Sequence, residues 1–198
     1  MTRTSVPLYP NLKRLYDERC AARNWIDALL LVRRQHRLAH LLHLIDQHGI
    51  ESLLPAVGDV WQDSESVYAD EEDWEWIWLR VVRTRRGKPR KNAYRVMTPA
   101  ERAVFDALPQ ELTIYRGYIG EDGEYGLSWS LKRDRAEWFA RRYPTMDCER
   151  FIATLTISKS EAIAFFARED EIVINNLYLD IGRRVRIERL SPGLHVAA

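Results

Sequence analysis

Apolar positions along the chain change period near its midpoint. Before about residue 98 they recur at three- and four-residue spacings, and from Leu112 onward they form short alternating runs. The longest helical pattern spans Asn24 to His48, where Ile26, Leu29, Leu30, Leu38, Leu41, Leu42 and Ile45 make an apolar stripe opposite Arg33, Arg34 and Arg37. Asn24 is suited to cap its start and Gly49 its end. A shorter helix is expected over Glu51 to Val60, bent or ended by Pro55. Acidic residues Asp70 to Asp73 precede Trp74, Trp76, Ile77, Trp78, Val81 and Val82, and arginines follow. That polarity matches a helix dipole, so a helix is expected there although the three tryptophans alternate as in a strand. Thr98-Pro99-Ala100-Glu101 reads as a cap, a first-turn proline and a capping-box glutamate, opening a helix from about Pro99 to Leu108.

The second half predicts strands at 112–117, 126–130, 151–158, 162–166, 171–179 and 183–190, with one helix at about 133–143. The expected fold class is therefore α+β: a helical N-terminal region, residues 1–98, followed by a small mixed, mostly antiparallel β-sheet domain, residues 99–198. Between them Arg83 to Arg95 (RTRRGKPRKNAYR) reads as a basic loop or linker.

Composition narrows the function classes. With 46% hydrophobic and 30% charged residues the chain is globular rather than disordered. A net charge of +1 removes any global reason to expect nucleic acid or membrane. Two cysteines, Cys20 and Cys148, form no disulfide scaffold or metal spacing and read as plain buried thiols. No apolar run is long enough to span a membrane, and the first ten residues lack a signal-peptide core, so a cytoplasmic protein is expected. His36, His40 and His43 share a helix face but have no partner ligand for a metal, and read as a polar or interface stripe. The tryptophans 74, 76 and 78 read as core between the two halves, and no metal is expected.

Three polar features interrupt the strands. Arg116 ends an apolar strand and precedes Gly117. Ser128 and Ser130 flank Trp129 and share one face of a strand. Glu169 and Glu171 also stand two apart, with Glu171 opening the apolar EIVI run. An arginine fork suits phosphate, a glycine admits a ligand to the backbone, and serines bond a ribose or orient a carboxylate. A buried glutamate stabilises an oxocarbenium ion, and a second carboxylate serves as a base. Together these groups describe a site for a dinucleotide with a scissile N-glycosidic bond, such as NAD.

The ordered set Tyr115-Arg116-Gly117, Leu127-Ser128-Trp129-Ser130-Leu131 and Glu169-Asp170-Glu171-Ile172-Val173-Ile174 resembles the R-S-E class of mono-ADP-ribosyltransferases, over about Leu112 to Leu190. Ala136-Glu137-Trp138-Phe139-Ala140 is similar to the helix that follows the serine motif in that class. The resemblance implies an ADP-ribosyltransferase-like domain that takes NAD as substrate and transfers ADP-ribose to a protein arginine or a nucleic acid. It implies that Arg116 contacts the NAD phosphates, Gly117 holds the nicotinamide amide, and Phe139 packs near the nicotinamide. Ser128 would position Glu171, Ser130 would support the cleft, Glu171 would bond the ribose and stabilise the oxocarbenium ion, and Glu169 would activate the acceptor. Ala162 to Asp170 would be the loop that meets the target. Trp129 stands where that class has threonine, which leaves acceptor preference open. By analogy such an enzyme suits a toxin or a phage or defence effector. Two other readings stand beside it: an NAD glycohydrolase using the same cleft, and a non-catalytic module binding nucleic acid or an acidic surface through Arg83 to Arg95 and the tryptophans.

Overall fold

The structure is a computed structural model that describes residues 8–9, 11–64, 70–82, 90–143, 148–174 and 180–191. The chain divides into two compact units, Met1–Thr98 and Pro99–Ala198. The described elements of the first unit are helical and those of the second are α+β, and every strand pairing among the described residues is antiparallel.

The first unit holds α1 (Lys13–Ala21), α2 (Trp25–Leu30), α3 (Arg37–His48), α4 (Ile50–Asp63), α5 (Glu71–Val82) and α6 (Arg90–Val96). The single helix expected over 24–48 is two. Asn24 does cap α2, its side chain accepting from the Asp27 N–H, and Gly49 ends α3 at φ +76°. Between them the chain extends, because Val32 forms a bridge with Leu8 and Leu31 accepts from the Tyr9 N–H. Arg37 then satisfies carbonyls freed at the break, donating from Nε to Val32 and from Nη2 to Leu30. Helix α4 runs through Pro55 rather than ending at it, carried by a nearly continuous buried face from Leu53 to Trp61.

Helix α5 forms as the charge pattern predicts, with Glu71, Glu72 and Asp73 in its first turn and Arg80 in its last. Trp74 and Trp78 are fully buried and meet Trp61 edge-on, at 4.8 and 5.2 Å between centroids. Trp76 is not core: it is exposed, and the Arg80 guanidinium lies 3.7 Å over its ring. Helical spacing turns it outward where strand alternation would have grouped it with the other two. The basic loop expected at Arg83 to Arg95 is partly helix. Residues 83–89 lie outside the described residues, and from Arg90 the chain is α6, with Ala93, Val96 and Met97 buried. Their apolar spacing is masked in the sequence by the surrounding basic side chains. Cys148 is exposed and Cys20 half-buried, so neither is the plain buried thiol expected.

In the second unit α7 (Pro99–Ala107) is followed by β1 (Glu111–Ile119), β2 (Ser128–Ser130), α8 (Arg133–Arg141), β3 (Arg150–Ser158), β4 (Ala162–Phe166), β5 (Glu171–Ile174), α9 (Ile181–Arg184) and β6 (Arg186–Arg189). The six strands make one sheet in the order β4-β5-β2-β1-β3-β6. Residues 183–184, read as strand, belong to α9, and residues 175–179 lie outside the described residues. Lys159 closes the C-terminus of α7: its buried ammonium donates to the carbonyls of Asp106 and Leu108 at 2.7 and 2.9 Å.

Register assigns the faces of this sheet. Tyr115 lies opposite Ser130 and Thr154, Gly117 opposite Ile152, and Ser130 opposite Glu171, so these residues share one face. Helix α8 packs on that face, its Ala136 and Ala140 clustered with Ile152, Leu190 and Tyr115. The other face carries Leu112, Ile114, Trp129, Leu155 and Ile172, all buried. Trp129 is thus core, as its alternation with the serines requires.

Candidate active site

Ser128 and Glu171 meet across the β2–β5 ladder. Ser128 stands opposite Val173, two ladder positions along from the Ser130–Glu171 pair and so on the same face, and its hydroxyl donates to Glu171 Oε1. The side chain of Glu171 is half-buried and lies on the α8 face. A carboxylate fixed by a hydroxyl on a rigid strand is held in one orientation, which a charge-stabilising group needs.

Ser130 does a different task. Its hydroxyl donates to the Glu169 carbonyl at 3.1 Å and accepts from the Lys132 N–H at 3.1 Å. The Leu131 N–H adds a bond to the Asp170 carbonyl at 2.9 Å. One side chain and two backbone groups thereby sew the turn carrying Glu169 to the chain entering α8. Asp170 itself is left-handed, at φ +49°, and its carboxylate takes the Lys132 ammonium at 2.7 Å. That bond raises the Lys132 pKa above its ordinary value. Glu169 is half-exposed, and its Oε1 lies 3.6 Å from Nη2 of Arg135 in the first turn of α8.

Arg116 is brought to this region by its contacts rather than by its face. Alternation sets it opposite Tyr115 and Gly117, on the Trp129 side of β1. Strands β1 and β2 share the Tyr115–Ser130 position alone, and the guanidinium bonds the backbone on either side of Gly126. Nε donates to the Gly123 carbonyl and Nη1 to the Ser128 carbonyl, each at 2.6 Å. A Cβ on Gly126 would fall 2.1 Å from Nη2, so a larger residue there would displace the guanidinium from this seat. In this geometry Arg116 braces the backbone that presents Ser128.

Gly117 has a comparable packing duty. A Cβ on it would sit 1.7 Å from the Ala136 carbonyl oxygen, so its lack of a side chain is what lets α8 lie against β1. Phe139 is half-buried at the edge of α8, with the Trp138 ring edge-on at 5.1 Å and the guanidinia of Arg135 and Arg142 at 5.6 and 5.1 Å from its centroid. Only Ala136 and Ala140 form the fully buried face of this helix.

The structure therefore brings Ser128, Ser130, Glu169 and Glu171 together around β2, β5 and the turn between β4 and β5. Arg116 joins them through the Ser128 carbonyl, Gly117 sits under α8, and Phe139 stands on that helix beside Arg135. The expected target loop is shorter than Ala162 to Asp170. Ala162–Phe166 is strand β4, with Ile163 to Phe166 buried, and only Ala167 to Asp170 turns outside the sheet. Lys132 and Arg135 belong to no motif in the sequence. The signal for them is their position at the start of a helix that follows the serines, against an acidic Glu169-Asp170-Glu171 run elsewhere.

Among the described residues no group of three or more His, Cys, Asp or Glu side chains could hold a metal ion. No helix among them is long and apolar enough to cross a membrane. Comparison of the chain with protein-family models, with curated proteins and with solved structures finds no match.

Proposed function

We propose that this protein is a mono-ADP-ribosyltransferase that cleaves NAD at the nicotinamide N-glycosidic bond and transfers ADP-ribose to a macromolecule. The observation that carries the reading is the Ser128–Glu171 hydrogen bond across β2 and β5, which fixes a half-buried carboxylate beside a second carboxylate on a tethered turn. Departure of nicotinamide leaves positive charge on the ribose, and a carboxylate held rigidly at that point stabilises it. Glu171 has that role, and Ser128 fixes its orientation. Glu169, half-exposed at the turn, is placed to receive a proton from an incoming nucleophile. Ser130 positions that turn, and Arg116 positions Ser128 through the two carbonyls it binds. Phe139 offers an aromatic surface for the nicotinamide ring. NAD enters as a substrate, and the chemistry needs no metal.

The division of labour between the two glutamates is tested with labelled NAD and a cell extract. Wild-type protein is expected to release nicotinamide and place label on protein or nucleic acid. Glu169→Gln is expected to keep nicotinamide release while macromolecular label falls at least about tenfold, the low end of losing a positioned base. Label retained in Glu169→Gln contradicts the acceptor role. Free ADP-ribose with no macromolecular label in any extract favours a glycohydrolase.

A further inference from the structure

We infer that one face of α8 binds single-stranded nucleic acid by stacking its bases; the inference stands independently of the transferase reading. Arg135, Trp138, Phe139 and Arg142 follow the i, i+3, i+4, i+7 spacing of a single helix face, and the backbone stays helical through Arg142, at φ −61°. A stripe with this spacing is ordinarily apolar and buried. Here two guanidinia alternate with two rings, and the Trp138 side chain is 52% exposed. Tyr143, just past the helix end, is exposed as well.

Charge is sorted around the helix. On the opposite flank Arg133 is held by Glu137 and Glu188, and Arg141 donates to the Ser191 carbonyl. None of the four stripe positions is acidic, and their arginines lie over rings instead. The Arg135 guanidinium is 5.1 Å from the Trp138 centroid, and that of Arg142 is 5.1 Å from Phe139 and 4.8 Å from Tyr143. Arg135 meets one carboxylate, Glu169, and Arg142 makes no ion pair among the described residues.

A single strand satisfies both halves of this pattern. Each nucleotide carries one negative charge for a guanidinium and one flat face for a ring or a guanidinium to stack on. An apolar protein segment would bury the two arginines without a partner, and an acidic one would leave the rings unused. A duplex hides its base faces. The chain's net charge is only +1, so attraction to phosphate is local to this stripe. The surface is separate from the basic stretch at residues 83–95, which belongs to the first unit.

The test measures fluorescence anisotropy of short labelled oligonucleotides, single-stranded RNA, single-stranded DNA and the matching duplex, with the purified full-length chain and no NAD. At least one single strand is expected to bind more tightly than the duplex. Its log–log salt slope is expected near −1.4, the release expected for two phosphates held by Arg135 and Arg142. Trp138→Ala is expected to weaken binding about tenfold, the loss of one stacked base, at an unchanged unfolding temperature, and Trp138→Phe to restore part of it. Arg142→Gln is expected to reduce the slope to about −0.7. Failure to bind either single strand overturns the inference, as does a duplex bound equally well. Binding that keeps its strength in Trp138→Ala and its salt slope in Arg142→Gln also overturns it, because the contact then lies elsewhere on the chain.

Discussion

At the scale of single residues, the two serines that look equivalent in the sequence hold different things. The Ser128 hydroxyl binds the Glu171 carboxylate, whereas that of Ser130 binds the Glu169 carbonyl and the Lys132 N–H. Their substitutions should therefore differ in kind. Ser128→Ala removes one hydrogen bond from a carboxylate and is expected to lower nicotinamide release about tenfold, the kinetic equivalent of ~1.4 kcal/mol, with little change in stability. Steady-state kinetics beside thermal unfolding check this, and a stability loss that accounts for the rate loss would contradict it. The period of two was enough to put both hydroxyls on one face from sequence. Which partner each takes was not legible, because the answer depends on where β5 pairs and how Asp170 turns the chain.

At the scale of elements, the meeting of α8 and β1 organises the site, since α8 carries Lys132 at its cap, Arg135 and Phe139. That meeting depends on Gly117. Gly117→Ala places a Cβ 1.7 Å from a backbone carbonyl that has no rotamer with which to yield, so the helix must move. The expected cost is about 2–3 kcal/mol, read as a lower urea midpoint with an unchanged m value, together with lost activity. A midpoint within error of wild type would show that α8 is not seated as described. Most elements of this unit were legible because their alternation and the capping signals at Thr98-Pro99 are local. The break at Val32 was not, because it follows from a bridge to Leu8, a partner more than twenty positions away. The helix at Arg90–Val96 was hidden for a different reason: three apolar positions in a strongly basic stretch give little periodic signal. Arg116 shows the limit at the site itself. Its motif suggested a ligand contact, while its bonds to the Gly123 and Ser128 carbonyls depend on how the chain returns from β1 to β2, which no local pattern records.

At the scale of the molecule, an acid-sensitive contribution to stability lies in the first unit, while the candidate site lies in the second. In Met1–Thr98 the Tyr16 hydroxyl binds His40 Nε2, and His43 stands beside it. Burial, helped by the charge of His43, pushes the His40 pKa from its ordinary 6.5 down to about 4. Between those values the unfolded chain binds a proton that the folded chain refuses. The stability contribution is therefore complete above pH 6.5 and is lost as the pH falls toward 4, by at most about 1.4 kcal/mol per pH unit. His40→Gln is expected to flatten that part of the urea-stability profile, and an unchanged slope would contradict a neutral buried imidazole. The candidate site residues all lie in Pro99–Ala198, so this acid sensitivity is separate from the groups assigned to catalysis.

On the proposed reading Glu171, oriented by Ser128, stabilises the charge that develops as NAD loses nicotinamide. The most direct measurement of that role is nicotinamide release from NAD by wild-type protein and by Glu171→Gln, each first shown to unfold at the same temperature. The account predicts release by the wild type and a fall of about 10²–10³-fold in the variant. Release that survives in Glu171→Gln, or a folded wild type that leaves NAD intact, would contradict it.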